Sequence, residues 1–133
     1  MKIFRFMSRE EFFKYIHGEK LVNNTNHNKD RNFKSDSIGF CFFNYAHYNP
    51  EEIYHSVTGI VSDDICCIFE TDKDNVKLSR GRYSKAYDKN SNRRDSFISK
   101  EYCTIEYSKE TFKLLKCAIP NWFNWEKWNW KEL

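Results

Sequence analysis

Three residues of this 133-residue sequence could act together on a sugar. Glu101 lies in a run of strand-forming residues, where a carboxylate is unexpected, and a fixed carboxylate stabilises the positive charge that develops on a sugar when a glycosidic bond breaks. Arg5 could donate two hydrogen bonds to sugar or phosphate oxygens, and the ring of Tyr54 suits a flat cationic group. The alternatives are that Arg5 is a sheet-edge charge and Tyr54 a core residue.

The start of the chain predicts a strand that runs directly into a helix. Residues 2–7 alternate between two faces, as in a strand. Ser8 and Glu11 then have the spacing of a capping box, in which the hydroxyl and the carboxylate bind the first free amides of a helix, and Gly18 is placed to end that helix. A second helix, capped by Asn49, is predicted to begin at Pro50, to carry Tyr54 and to end at Gly59.

The rest of the chain is dominated by predicted strands. Because strands outnumber helices and both helices lie between strands, we expect an α+β fold, with mainly antiparallel twisted sheets and two or three helices. Residues 1–119 form one predicted domain, and residues 120–133 form a tail. The predicted strands are 37–43, 65–71, 78–83, 97–107 and 112–119, and the predicted polar loops are 23–37 and 88–95.

Two segments could contact a partner. Residues 77–94 hold seven basic side chains and one acidic one, a local charge of +6 in a chain whose net charge is +3. That net charge is too small to predict nucleic-acid binding by itself. The tail either folds back over the core or provides a docking surface for a partner or a second copy through Trp122, Trp125, Trp128 and Trp130.

The five cysteines and the lack of long apolar runs bear on the compartment. Four cysteines lie within or next to apolar runs, as reduced buried thiols do, which favours a reducing compartment such as the cytoplasm of a bacterium or of a phage host. No cysteine or histidine spacing suits zinc, so we expect no metal. The first residues lack the apolar core of a signal peptide, and no apolar run is long enough to span a bilayer.

Three segments, in this order, carry a family resemblance. They are residues 2–8, residues 39–43 followed by the helix with Tyr54, and residues 100–108 followed by 112–116. Together they resemble the catalytic domains of the ADP-ribosyltransferase superfamily, particularly the branch with the poly-ADP-ribose polymerases and the small bacterial transferases. The resemblance implies an ADP-ribosyltransferase-like fold and NAD as co-substrate.

The resemblance also assigns roles to residues. It implies that Glu101 is the catalytic carboxylate, that Arg5 binds the ribose hydroxyls of NAD, and that Tyr54 stacks on nicotinamide, with Tyr48 as the second choice. Gly39 and Phe40 match a Gly-aromatic-x-Phe strand of the family that leads to the stacking tyrosine. From the basic segment 77–94, Arg80, Arg82 and Lys85 could bind the pyrophosphate or the acceptor.

Where the sequence departs from the family pattern, it disfavours some acceptors and products of the expected reaction. Ser99 stands where arginine-modifying toxins carry a second Glu, which disfavours an arginine acceptor, and residues 37–40 lack the Ser-Thr-Ser motif of that branch. Arg5, in place of His, argues against a polymer product. We expect transfer of one ADP-ribose to a bacterial protein or nucleic acid, or NAD hydrolysis. The alternative is a non-catalytic, phage-encoded inhibitor that binds a host defence or nuclease complex through residues 77–94 or the tail.

Overall fold

The computed structural model describes seven stretches of the chain, and for two of them, 82–87 and 93–98, it describes only the backbone. The fold is α+β and mostly antiparallel sheet, as predicted, with a helix on each face of a seven-stranded sheet. The predicted helix end at Gly59, most of the predicted loop 23–37, and Trp122 and Trp125 lie outside the described residues. The described stretches are 1–25, 38–56, 65–78, 82–87, 93–98, 101–120 and 128–132.

The described elements follow one another in chain order. They are β1 (Lys2–Met7), α1 (Arg9–Ile16), β2 (Leu21–Val22), β3 (Phe40–Asn44), α2 (Pro50–Ser56), β4 (Ile65–Thr71), a 3-10 turn (Lys73–Asn75), β5 (Lys77–Leu78), β6 (Arg82–Tyr87), β7 (Arg93–Ile98), β8 (Glu101–Thr104), β9 (Glu106–Tyr107), β10 (Phe112–Ala118) and β11 (Lys131–Glu132).

The first strand lies at the centre of the main sheet. The strand order is β11-β10-β4-β1-β3-β8-β5, and each neighbouring pair is antiparallel. Two smaller antiparallel pairs, β2 with β9 and β6 with β7, complete the described strands. Arg5 therefore does not lie at a sheet edge, because β1 has strands on both sides.

Side chains of β1 alternate between two apolar clusters, one on each face of the sheet. Ile3 and Met7 belong to the cluster under α1, which we call the α1 face, and Phe4 and Phe6 belong to the cluster under α2, which we call the α2 face. The α1 face also holds Tyr15, Leu21, Phe40, Phe42, Cys67, Phe69, Tyr107, Phe112 and Leu114. The α2 face also holds Phe43, Ile53, Tyr54, Cys66, Ile68, Ala118 and Trp128.

Both helices begin where the sequence predicts. The Ser8 hydroxyl accepts a hydrogen bond from the Glu11 amide at 3.1 Å, and Gly18 follows α1 with φ of +78°. The Asn49 side chain accepts from the Glu51 amide at 2.9 Å at the start of α2. In the described part of the chain, neither helix is long and apolar enough to cross a membrane.

The second half of the chain departs from the predicted strand limits. The predicted strand 78–83 is divided between β5 and β6, and β7 covers the end of the predicted loop 88–95. The pair of β6 and β7 lies apart from the seven-stranded sheet, so its strands need not show the apolar alternation of a core strand. The predicted strand 97–107 is interrupted at Ile105, where the chain bends and the side chain is exposed.

Gly39 lets β3 and the turn between β8 and β9 approach closely. Its φ is +86°, and a Cβ atom at this position would lie 2.4 Å from the Thr104 carbonyl oxygen and 2.7 Å from that of Asn23. Both neighbours are backbone atoms, which cannot swing aside as a side chain can. Only glycine fits here without moving one of two chain segments.

Gly39→Ala is expected to lower the free energy of unfolding by more than about 3 kcal/mol, because the new methyl group meets backbone on two sides. Gly18→Ala is the matched control: Gly18 also has positive φ, but nothing lies within 4 Å of the added Cβ. That variant should cost about 1 kcal/mol, from backbone strain alone. Urea denaturation of the two variants measures the difference, and equal losses would contradict the close approach at Gly39.

Candidate functional site

Arg5 forms a bidentate ion pair with Glu11 across the junction between β1 and α1. The Arg5 Nε donates to Glu11 Oε2 at 2.7 Å, and Nη2 donates to Oε1 at 2.8 Å. The remaining terminal nitrogen, Nη1, donates to the Cys41 carbonyl oxygen on β3 at 3.2 Å. All three guanidinium nitrogens are therefore hydrogen-bonded within the chain.

A tyrosine and two aromatic rings complete this cluster. The Tyr107 hydroxyl donates to Glu11 Oε2 at 2.6 Å, and the Arg5 guanidinium lies 5.1 Å from the Phe40 ring centre and 5.9 Å from that of Phe42. Burial raises the pKa of Tyr107, and the negative charge of Glu11 raises this pKa further. Burial alone would lower the pKa of Arg5, but the hydrogen bond and charge of Glu11 outweigh it and hold the pKa of Arg5 above its usual value.

Little of this ion pair reaches solvent. The side chains of Arg5 and Glu11 are 17% and 13% exposed, so each charge depends on the other for the interactions that water would provide. The sequence predicts a capping box in which the Ser8 hydroxyl and the Glu11 carboxylate each bind a free amide of the helix. The contact of Ser8 is confirmed, because its hydroxyl accepts from the Glu11 amide. The Glu11 carboxylate instead accepts from Arg5 and Tyr107.

Glu101 lies on the other face of the sheet. It is the Cα partner of Phe43, and residues directly opposite in an antiparallel pair point to the same face. Phe43 packs on the α2 face, so Glu101 points there too, and the residue is fully buried at 0% exposure. Its carboxylate is held below the surface of the α2 face.

Tyr54 packs on the same face as Glu101. Its ring centre lies 5.7 Å from Phe6 on β1 and 5.4 Å from Trp128, which meets it nearly at a right angle. Tyr48, the second choice from the sequence, is partly buried against the same cluster. Tyr54 is 8% exposed, so it is a core residue of the α2 face as well as a candidate ligand contact.

The structure thus divides the predicted site between two faces. Arg5 and Phe40 lie on the α1 face, whereas Glu101 and Tyr54 lie on the α2 face. The backbone of Arg82 lies in β6, which runs beside α2, and its side chain is outside the described residues. Gly39 holds the start of β3 against the backbone of Thr104 rather than facing either cluster.

Trp128 of the tail packs on the α2 face. From the sequence alone, the tail tryptophans could either cover the core or contact a partner. Trp128 is 5% exposed, and its ring centre lies 6.0 Å from that of Phe6. Within the described part of the chain, its indole N–H is buried without a hydrogen-bond partner. The sequence offered a tail that folds back over the core as one alternative, but it could not say which face of the sheet Trp128 covers.

No family model, curated protein or solved structure matches the chain. Among the described residues, no group of three or more His, Cys, Asp or Glu side chains could hold a metal ion.

Glu11→Gln is expected to lower the free energy of unfolding by about 3 kcal/mol, because it leaves the largely buried charge of Arg5 without its counterion. Glu10→Gln is the control: Glu10 pairs with Lys14 at 3.4 Å on the exposed side of the same helix, and its loss should cost less than about 0.5 kcal/mol. Chemical denaturation near neutral pH measures both. A loss for Glu11→Gln as small as that for Glu10→Gln would contradict the structural role of the ion pair.

Tyr107→Phe is expected to reduce the alkaline destabilisation of the fold. Because the pKa of Tyr107 is raised in the folded chain, only the unfolded chain releases this proton above about pH 10, and stability falls by about 1.4 kcal/mol per pH unit for each such proton. The variant lacks the alkaline destabilisation that Tyr107 causes. The destabilisation caused by Tyr15 and the buried thiols, whose pKa values are also raised, is the same in the native chain and in the variant. Denaturation curves between about pH 9 and 11 compare the slopes, and identical slopes would refute the assignment.

Proposed function

We propose that the chain is an NAD-dependent mono-ADP-ribosyltransferase with an ADP-ribosyltransferase-like fold, whose reaction centre is Glu101 on the α2 face. The observation that carries the proposal is the position of this carboxylate: it is fully buried on a strand of the main sheet, on the face where Tyr54 packs. The α+β fold with its mainly antiparallel sheet is consistent with the resemblance in the sequence.

A buried carboxylate suits the chemistry of breaking the bond between nicotinamide and ribose. That step builds positive charge on the sugar, and a fixed negative group in a water-poor site stabilises such charge more than it would in water. Glu101 is fixed by the pairing of β8 with β3, which sets its position opposite Phe43. Its role is to hold a ribose hydroxyl and to stabilise the developing charge.

Tyr54 provides the aromatic surface for nicotinamide in this proposal. Phe6 and Trp128 contact its ring, so a bound nicotinamide would take the place of one of these neighbours. Trp128 is the easier to displace, because the strand that follows it, β11, is only two residues long, whereas Phe6 lies in the central strand. Its buried indole N–H also lacks a partner in the described part of the chain, which lowers the cost of moving the ring.

Arg5 receives a different role from the one that the resemblance implies. Its guanidinium lies on the α1 face, where it already donates to Glu11 and to the Cys41 carbonyl, and β1 contributes Phe4 and Phe6 to the α2 face. Arg5 therefore supports the reaction centre indirectly, by fixing α1 to the sheet. In this proposal, other groups of the α2 face bind the ribose.

The remaining parts of the proposal rest on the sequence. The acceptor is a bacterial protein or nucleic acid, and an arginine acceptor is disfavoured by Ser99. The basic segment 77–94, which includes Arg82, would bind the pyrophosphate of NAD or a negatively charged acceptor. A phage- or toxin-related protein acting in the cytoplasm of a bacterial cell fits this activity.

The second candidate is a non-catalytic inhibitor of a host defence or nuclease complex. Two observations favour it: NAD could reach the fully buried Glu101 only after part of the α2 face moves, and the guanidinium of Arg5 is engaged in the ion pair with Glu11. The contact surface would be the basic segment 77–94 or tryptophans of the tail other than Trp128, which is buried in the core. This candidate predicts neither NAD binding nor nicotinamide release.

The enzyme should release nicotinamide when the purified chain is incubated with NAD, and Glu101→Gln should reduce the rate by about 100-fold or more. Glutamine has nearly the same shape as glutamate, so the variant removes the charge with little change in packing. Chromatographic separation of nicotinamide from NAD measures the rate, and thermal melting of each variant verifies that it is folded.

Glu106→Gln is the matched control for this experiment. Glu106 lies in the next strand and forms a surface ion pair with Lys20 at 3.0 Å, so its change should leave the rate unaltered. A native protein that neither binds NAD nor releases nicotinamide would remove the enzyme proposal and favour the inhibitor. Equal release by the native chain and a folded Glu101→Gln variant would show that Glu101 is not the catalytic carboxylate.

A further inference from the structure

Two cysteines on neighbouring strands lie directly opposite each other. Cys67 on β4 is the Cα partner of Cys117 on β10, and both pack against the cluster of the α1 face. Opposite residues of an antiparallel pair have Cα atoms about 4.5–5.5 Å apart. A disulfide spans Cα separations of about 4.4–6.8 Å, so this pair could be joined without moving the backbone.

A bulge in β10 creates this alignment. The register shifts between Leu114, which opposes Phe69, and Lys116, which opposes Ile68. Without the extra residue, Cys117 would oppose Cys66, whose side chain packs on the α2 face. The bulge therefore turns Cys117 toward the α1 face, where it meets Cys67.

The two thiols differ in their access to solvent. Cys117 is partly exposed, whereas Cys67 beside it is fully buried, and neither is in a disulfide in the structure. Burial raises the pKa of each thiol, so little thiolate is present near neutral pH and weak oxidants react slowly. A reaction would begin at Cys117, which small oxidants can reach.

We propose that Cys67 and Cys117 form a redox-sensitive pair that closes to a disulfide when the chain meets a hydroperoxide. The Cys117 sulfur attacks the peroxide, so that an S–O bond forms, the O–O bond breaks and an alcohol or water leaves. The Cys67 sulfur then attacks the sulfenic acid; an S–S bond forms, the S–O bond breaks and water leaves. The two thiols are oxidised by two electrons in all, and the peroxide is reduced.

Closing this bond would join β4 to β10 within the main sheet. The proposed redox pair does not depend on the function proposed above, because neither thiol lies on the α2 face. A second pair of opposite cysteines, Cys41 on β3 and Cys103 on β8, provides an internal comparison. Both of these thiols are buried, so the same oxidant should reach them more slowly.

The test treats the folded full-length chain with hydrogen peroxide and maps its peptides without reduction. The expected product contains one disulfide between Cys67 and Cys117, and its melting temperature is about 5 °C or more above that of the reduced chain. Adding a dithiol reductant should reverse both changes. Cys117→Ser should abolish the cross-link, and Cys67→Ala should do the same if the first variant does not fold.

Cys66→Ala is the matched control. Cys66 is the sequence neighbour of Cys67 but points to the α2 face, so its loss should leave the cross-link unchanged. Three results would overturn the proposal: a bond between Cys41 and Cys103 that forms before one between Cys67 and Cys117, a cross-link that involves Cys66, or thiols that stay reduced until the chain is unfolded.

Discussion

The ion pair between Arg5 and Glu11 ties the first helix to the centre of the sheet. Arg5 belongs to the central strand and Glu11 to the first turn of α1, and the same carboxylate accepts from Tyr107 in β9. Because these charges are mostly shielded from water, neither can be left alone without a large cost. The position of the helix, and the packing of the α1 face beneath it, therefore depend on this contact.

Because of this ion pair, the two faces of the sheet differ in the charged groups that they hold: Arg5 and Glu11 lie on the α1 face, and Glu101 lies on the α2 face. The guanidinium of Arg5 on β1 is used on the α1 face, where it fixes α1 to the sheet, and β1 contributes the rings of Phe4 and Phe6 to the α2 face. The buried carboxylate of Glu101 lies on the α2 face with Tyr54 and the ring of Trp128. The proposed reaction centre lies on the α2 face, which Trp128 and Trp130 of the C-terminal segment partly cover.

Local patterns in the sequence predicted much of the fold. The capping serine, the proline at the start of α2, and the apolar runs of β1, β4 and β10 depend on neighbouring residues, and the structure confirms these elements. The antiparallel pair of β6 and β7 was missed in part because polar strands outside a main sheet lack the apolar alternation that marks a core strand.

The site was harder to predict because it depends on strand register. Arg5 and Glu101 could each be assigned to a strand, but the face that each one points to is set by pairing with residues far away in the chain, Cys67 and Phe43. A shift of one residue would have put both on the same face. The partner of Arg5 was also hidden, since Glu11 has the spacing of a helix cap and its contact with Arg5 requires α1 to fold back on the sheet.

A titration of isotope-labelled protein with NAD, followed by NMR, tests the division between the two faces most directly. If Glu101 and Tyr54 bind the ligand, NAD is expected to shift the ring signals of Tyr54 and the amide signals around Phe43 and Glu101, while the Nε–H signal of Arg5, held by Glu11, stays in place. Shifts confined to Arg5, Glu11 and Tyr107 would contradict a ligand site on the α2 face, since they would locate the ligand on the α1 face. The absence of any shift would contradict NAD binding itself.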